Sequence, residues 1–137
     1  MANLFLHWSE ADETGISVID EQHRAIMGII NSFFFHREDK DIERFLVPTV
    51  ETMKAFGLIH FRTEEDLMRA SSFPGLEAHA EEHQRVREDL WAIEYECRQC
   101  RDSMGFLFHL KDYWKNHVHG MDLEYIEHLR GWLGDKA

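Results

Sequence analysis

Proline is nearly absent from this chain: there are two in 137 residues, beside eight glycines and two cysteines. So few breakers and turn residues leave little material for a sandwich or barrel of short strands. No run alternates apolar and polar residues at period two, and no convincing strand is visible. The two cysteines, Cys97 and Cys100 in CRQC, are too few for a disulfide framework, and a lone CxxC is at best half a zinc site. They read as two ordinary helix residues one turn apart. Basic residues are also short, 15 against 26 acidic, for a formal charge of −11. That balance argues against nucleic acid or an anionic membrane as the main partner. No apolar run approaches the roughly 20 residues that span a bilayer. The N-terminal MANLFLHWSE lacks the basic start and apolar stretch of a signal peptide. The expected compartment is the cytoplasm, with no membrane insertion.

Apolar residues make up 44% of the chain, enough for a real core, and the length suits one domain over residues 1–137. They recur at three-to-four spacing, the mark of amphipathic helices. After an N-terminal arm carrying Leu4, Phe5, Leu6 and Trp8, the pattern predicts a helix from Ser17 to His36, with Ile19, His23, Ile26 and Ile30 along one side. A second runs from Ile42 to Arg69; Pro48 either starts it late or kinks it. Its inward face reads Val50, Met53, Phe56 and Leu67, interrupted by His60 and Glu64. SSFPG (Ser71 to Gly75) is a turn. A third helix spans Leu76 to Arg98, a fourth runs from Ser103 to about His119, and a short one from Leu123 to Leu133 follows Gly120. The expected fold is all-α: an up-down-up-down four-helix bundle with an N-terminal arm and a short C-terminal helix.

Histidine is what the chain has in excess, ten in all. His79 and His83 lie four apart in HAEEH; His60 is followed by Glu64; His117 is followed by Asp122; His23 stands alone in IDEQH. Residues four apart share a helix face. A single histidine on an apolar face is ordinarily a satisfied core residue, and a single HxxxH is weak evidence. Imidazoles and acids from four helices are another matter, because each buried polar group needs a partner. A shared metal cluster satisfies all of them. The candidate ligands are therefore His23, His60, Glu64, His79, His83, His117 and Asp122. Five neutral imidazoles and two carboxylates suit a pair of first-row metal ions, since imidazole serves iron, zinc or copper.

Trp8, GISVIDEQH (Gly15 to His23), HFRTEEDLM (His60 to Met68), FPGLEAHAEEH (Phe73 to His83) and WKNHVHGMD (Trp114 to Asp122) together resemble the hemerythrins, the bacterial branch in particular. All seven ligand positions of that family are filled. The resemblance implies a four-helix bundle holding a non-haem di-iron centre, two iron ions with an oxo or hydroxo bridge, and reversible binding of O₂. It places His79, His83 and His117 on one iron and His23 and His60 on the other. Glu64 and Asp122 would bridge both, and O₂ would bind at the iron held by two histidines. Apolar residues one turn from the ligands should keep the pocket dry: Ile19, Phe56, Phe61, Trp114 and Val118 are the candidates. Glu65 and Asp20 are candidates to orient imidazoles through their free N–H groups.

Two features strain the pattern. His117 and Asp122 are five apart, an offset of about 140° on a straight α-helix. Either a π-bulge aligns them, or the helix ends near His119 and Asp122 swings in from a turn at Gly120. His119, three before Asp122, is a rival ligand; the family spacing of Trp, two residues, then His favours His117. His119 is then a surface residue or a group at the rim of the site. His7, His36, His109 and His128 match no ligand position and are expected at the surface or boundary. Cys97 lies roughly 20 Å along its helix from His83, too far to share the site.

The reading is an oxygen carrier, store or delivery protein, not an enzyme, with O₂ as its ligand and an oxygen-consuming enzyme or signalling protein as the kind of partner it would serve. The alternatives are an O₂- or redox-sensing domain of a signalling protein, a di-iron oxidase, peroxidase or nitric-oxide-handling protein, and iron or zinc storage.

Overall fold

The computed structural model describes residues 3–134. Four long helical stretches dominate, and there is no strand among the described residues. Helix α1 covers Ser17–Phe35, α2 Glu43–Ala70 and α3 Leu76–Cys100. Helix α4, Ser103–Tyr113, passes without a break through a π-helical segment, Trp114–Met121, into α5, Asp122–Gly134. Consecutive helices pack against one another, and α4 returns to α1, which closes the bundle. No helix is long and apolar enough to cross a membrane among the described residues.

Local signals set the boundaries. Gly15 takes a positive φ of 82°, which its missing Cβ allows, and turns the chain into α1. The Asp20 carboxylate holds that turn, accepting from the Thr14 and Gly15 N–H groups at 2.9 and 3.2 Å. Pro48 lies inside α2, two turns or less from its start. Arg101 ends α3 in the left-handed conformation, and the Asp102 side chain caps α4 by accepting from the Gly105 N–H. Of the two alternatives at Gly120 the structure has the π-bulge and not the helix stop: the fourth helix continues there, one residue wider per turn.

The apolar core comes in two halves. Ile26, Ile30 and Phe33 of α1 meet Val50 and Met53 of α2, Leu90 of α3, and Phe106, Leu107 and Leu110 of α4 in one half. Ile16, Ile19, Met68, Tyr125, Ile126 and Leu129 form the other. Met68, one turn beyond Glu64, takes the inward place expected of Leu67, which is only partly buried. Along each helix the histidines and acids fall between these halves, as in the order Ile19, His23, Ile26 on α1 and Met53, His60, Glu64, Met68 on α2. The bundle thus carries a polar belt across its axis, sealed by hydrocarbon above and below.

The N-terminal arm lies on α1 and on the π-segment. Asn31 binds it with three hydrogen bonds, accepting from the Phe5 and Leu6 N–H groups and donating to the Leu6 carbonyl. A short 3-10 turn, Glu10–Asp12, then buries Asp12.

Candidate metal centre

All seven side chains singled out from the sequence converge in the belt, and all are buried. Glu64, His79, His83, His117 and Asp122 present donor atoms close enough to share one ion; His23, His60 and Glu64 do the same for a second. Glu64 belongs to both groups. Its Oε1 lies 3.1 Å from His60 Nε2 and 3.3 Å from His83 Nε2. Asp122 spans likewise: Oδ1 is 3.0 Å from His79 Nε2 and 3.2 Å from His117 Nε2, and Oδ2 is 3.8 Å from His23 Nε2.

The π-segment makes the last of these contacts possible. The Asp122 N–H bonds to the His117 carbonyl five residues back, so the two side chains share a face. His117, not His119, enters the cluster. His119 turns instead to Asp12, with Nε2 2.6 Å from Oδ1. The same oxygen accepts the Trp114 indole N–H at 3.1 Å, and the Trp114 ring stands edge-on to His23 at 5.7 Å. His119 is therefore linked to the site's surroundings through Asp12. Burial raises the Asp12 carboxyl, but hydrogen bonds from Ser9, Trp114 and His119 outweigh it and leave the group below its ordinary value.

Two imidazoles are oriented from behind. His60 Nδ1 lies 2.8 Å from Gln22 Oε1, and Gln22 is itself fixed by Thr63 at 3.0 Å. His83 Nδ1 lies 2.9 Å from Glu65 Oε2. Both partners are acceptors, so both Nδ1 atoms carry the proton and both Nε2 atoms turn a lone pair inward. Stacking fixes the planes: Phe61 lies on His83 at 4.0 Å and Tyr113 on His117 at 5.3 Å. Glu65 meets the role expected of it. Asp20 does not, being engaged with the turn before α1, and Gln22, one residue before His23, takes that place for His60.

Those lone pairs test whether a metal fits. His60 Nε2 and His83 Nε2 point at Glu64 oxygens, which also carry only lone pairs when ionised. None of the seven side chains finds a hydrogen-bond partner for its inward atoms. Leaving a buried polar group unpaired costs about 1–3 kcal/mol. One such loss for each of the seven would amount to about 7–20 kcal/mol, as much as a domain's whole stability of about 5–15 kcal/mol. A cation removes the penalty at every atom at once.

The electrostatics agree. Burial holds the His23, His60 and His117 imidazoles far below their ordinary value, at about 3, 4 and 2, and burial also lowers His83. They are neutral donors at any physiological pH. Burial pushes Glu64 and Asp122 the other way, above the usual carboxylate range, and Glu64 raises Asp122 further. Without positive charge among them these acids resist ionisation; with it they become strong ligands.

The remaining expected positions sort cleanly. Of the five residues expected to line a pocket, Phe61 alone borders the large cavity described below. Ile19, Trp114 and Val118 fill the two core halves and Phe56 packs against one of them, because side chains one turn from a ligand on the same face continue the bundle core. Cys97 is buried among apolar residues of the core half remote from Asp122, and Cys100 is exposed. His36 stacks on Phe45 at 3.9 Å and His128 bonds the Ser71 carbonyl at 2.8 Å, both at the boundary. Asp12, Gln22, Tyr113 and Tyr125 belong to the site's surroundings and went unread in the sequence. Tyr125, whose ring stands edge-on to His79 at 5.0 Å, follows Asp122 by three and so shared a visible face with it.

The sequence profile of the hemerythrin HHE cation binding domain matches residues 14–129. A bacteriohemerythrin of Pseudomonas aeruginosa is 30% identical over 128 residues, covering 91% of this chain and 82% of that protein. One from Stenotrophomonas maltophilia is 26% identical over 134 residues, covering 96% and 86%. A hemerythrin-like protein of Naegleria gruberi is 24% identical over 119 residues, covering 87% and 89%.

Proposed function

The chain belongs to the hemerythrin family, and from that premise we propose that its buried cluster is a non-haem di-iron centre that binds O₂ reversibly, as a carrier or store and not as a catalyst. One observation carries the reading: three imidazoles and two imidazoles stand on either side of two carboxylates, every inward atom unpaired. His79, His83 and His117 would hold one ion, and His23 and His60 the other. Glu64 and Asp122 would be shared between the two. Iron there would supply the electrons that O₂ takes up on binding and returns on release.

The protein's own part is to make that exchange reversible. Five neutral imidazoles donate less negative charge than a carboxylate-rich set, which favours the reduced metal and restrains oxidation. The His23–His60 side has one fewer protein donor than the other, so O₂ would be taken up there. The two apolar core halves seal the site above and below, and the Phe61 and Tyr113 rings give its remaining approach an apolar lining. That lining restrains the water that would otherwise promote loss of the bound gas as an oxidised by-product. Gln22 and Glu65 hold His60 and His83 in the tautomer that faces the metal. Such a protein would work in the cytoplasm, delivering O₂ to an oxygen-consuming enzyme or a signalling partner.

The test is a metal count joined to a visible spectrum. The reduced protein is prepared without air and then exposed to it. A charge-transfer band that appears with air and vanishes under vacuum supports reversible binding. Permanent oxidation with turnover of an added reductant would support an oxidase or peroxidase instead, and bound zinc with no band would reject both.

A further inference from the structure

Between α2, α3 and α4 lies a cavity of about 210 Å³ that opens to the surface. It reaches the site at His60 and Tyr113. Its walls are hydrocarbon, from Ile26, Met53, Leu90 and Leu110, with the Phe61 ring beside them. The mouth carries Leu58 and Trp91, both more than half exposed.

The cavity is far too large for a two-atom gas. An apolar cavity of about 150 Å³ already accepts benzene. Three aromatic rings, Phe61, Trp91 and Tyr113, border this one, and ring-on-ring contact favours a flat guest over a flexible chain. Its cations are already engaged. Lys54 sits 4.8 Å over the Trp91 ring and 3.7 Å from Glu51, and Arg87 lies over Phe61 and bonds Gln84 at 2.9 Å. His109 has Asp89 and Asp112 for electrostatic neighbours. The lining carries no acidic side chain to hold a cation, and its own cations already have partners, so the guest best suited to it is neutral.

Gly57 supplies the second observation. It sits in the interior of α2, where glycine weakens a helix relative to alanine. It borders the cavity, and a Cβ built on it meets nothing within 4 Å. A larger side chain meets no steric bar at this cavity-lining position, and the glycine leaves it clear.

We propose that this cavity is a binding site for a neutral, monocyclic aromatic molecule, seated against His60 and Tyr113. Bound there it stands between the solvent and the two-histidine side of the centre and slows the entry of gas; that last consequence rests on the O₂ reading, the binding itself does not.

The metal-loaded chain is titrated with toluene while tryptophan fluorescence and Tm are followed. Saturable binding is expected with a Kd on the order of 0.1–1 mM, as suits a ligand of so few atoms. Tm should rise with ligand concentration by mass action. Gly57→Leu, whose side chain occupies the cavity, should weaken binding at least tenfold, whereas Gly57→Ala should retain most of it. Val86→Phe, from the α3 wall, provides a second block should the leucine variant not fold. No saturation in the parent chain, or equal binding by both blocked variants, overturns the proposal. Neither readout involves O₂, so a protein that failed to bind gas reversibly would still give a clear answer here.

Discussion

Asp12 is the residue whose removal says most about how the centre is held. Its carboxylate accepts from the Ser9 N–H at 2.7 Å and the Ser9 hydroxyl at 3.1 Å through one oxygen, and from Trp114 at 3.1 Å and His119 at 2.6 Å through the other. Its side chain is 3% exposed. Asp12→Ala strips an acceptor from a buried indole N–H and leaves that group unpaired, a loss of about 1–3 kcal/mol. The hydrogen bond to Ser9 N–H, made to a charged acceptor, adds about 1.5–3 kcal/mol. His119 is partly exposed and its share is small. The sum, about 2.5–6 kcal/mol, should lower Tm by roughly 9–20 °C in a chain of this length. Urea denaturation of the metal-loaded protein measures it directly. Asp12→Asn keeps one carbonyl acceptor and should lose about half as much. A cycle with Trp114→Phe should show a coupling of about 1–2 kcal/mol, since the two residues share one bond. Because Trp114 faces His23, the visible bands of the loaded protein should shift as well. A loss below about 0.5 kcal/mol, the scale of an ordinary surface change, would show that the arm merely rests on the bundle.

Other expectations follow from the same geometry. His117→Ala should abolish the visible absorption and lower the metal count, while His119→Ala leaves the metal content intact; the reverse would overturn the assignment of the fourth helix. Gln22→Ala and Glu65→Ala should each weaken metal binding about 10–100-fold without removing a ligand, measured by competition with a chelator. In the metal-free protein, His23, His60 and His117 titrate at about 3, 4 and 2 when folded against an ordinary 6.5. A depressed folded value means the unfolded chain takes up protons first, so each imidazole's contribution is present above pH 6.5 and lost as the pH falls, at about 1.4 kcal/mol per pH unit. Glu64 and Asp122, raised when folded, act in the opposite sense. With His83 also lowered, the imidazoles outnumber the acids, so urea midpoints should fall between pH 6.5 and the ordinary carboxylate value of 4.5.

The ligand types were legible because two of the four helices repeat them at the spacing of a helix turn, and their neighbours along each face are apolar. His60, Glu64, His79 and His83 needed nothing beyond that periodicity, and His23 is placed by its position on the apolar face of α1 between Ile19 and Ile26. The residues behind them were not legible in the same way. Gln22 reaches His60 from a neighbouring helix, and Asp12 reaches Trp114 across about a hundred residues of chain. Such contacts depend on how α1 and the arm are rotated against their neighbours, and a pattern along one segment carries no such information. The cavity is hidden for a related reason. It exists where three helices fail to fill the space between them, and the residues bordering it look like ordinary core.

The π-segment is a different case: the five-residue spacing of His117 and Asp122 leaves a π-bulge and a helix stop at Gly120 both open, and the pattern of buried positions decides between them. The buried positions up to His117 are Phe106, Leu107, Leu110, Trp114 and His117; those from Asp122 on are Asp122, Tyr125, Ile126 and Leu129. At 100° per residue, the second set lies on average about 100° round the helix from the first, one residue out of phase. A chain that stopped and turned at Gly120 would have no reason to keep so constant a slip through the next two turns. An uninterrupted α-helix would turn either set out of the core. One extra residue taken up in a wider turn restores the phase, and it does so between His117 and Asp122. The same residue therefore brings the acid under the histidine and carries Tyr125, Ile126 and Leu129 into the lower half of the core. The metal centre and the packing beneath it depend on one irregularity, which is why glycine at 120 serves as part of a continuous helix and not as its end.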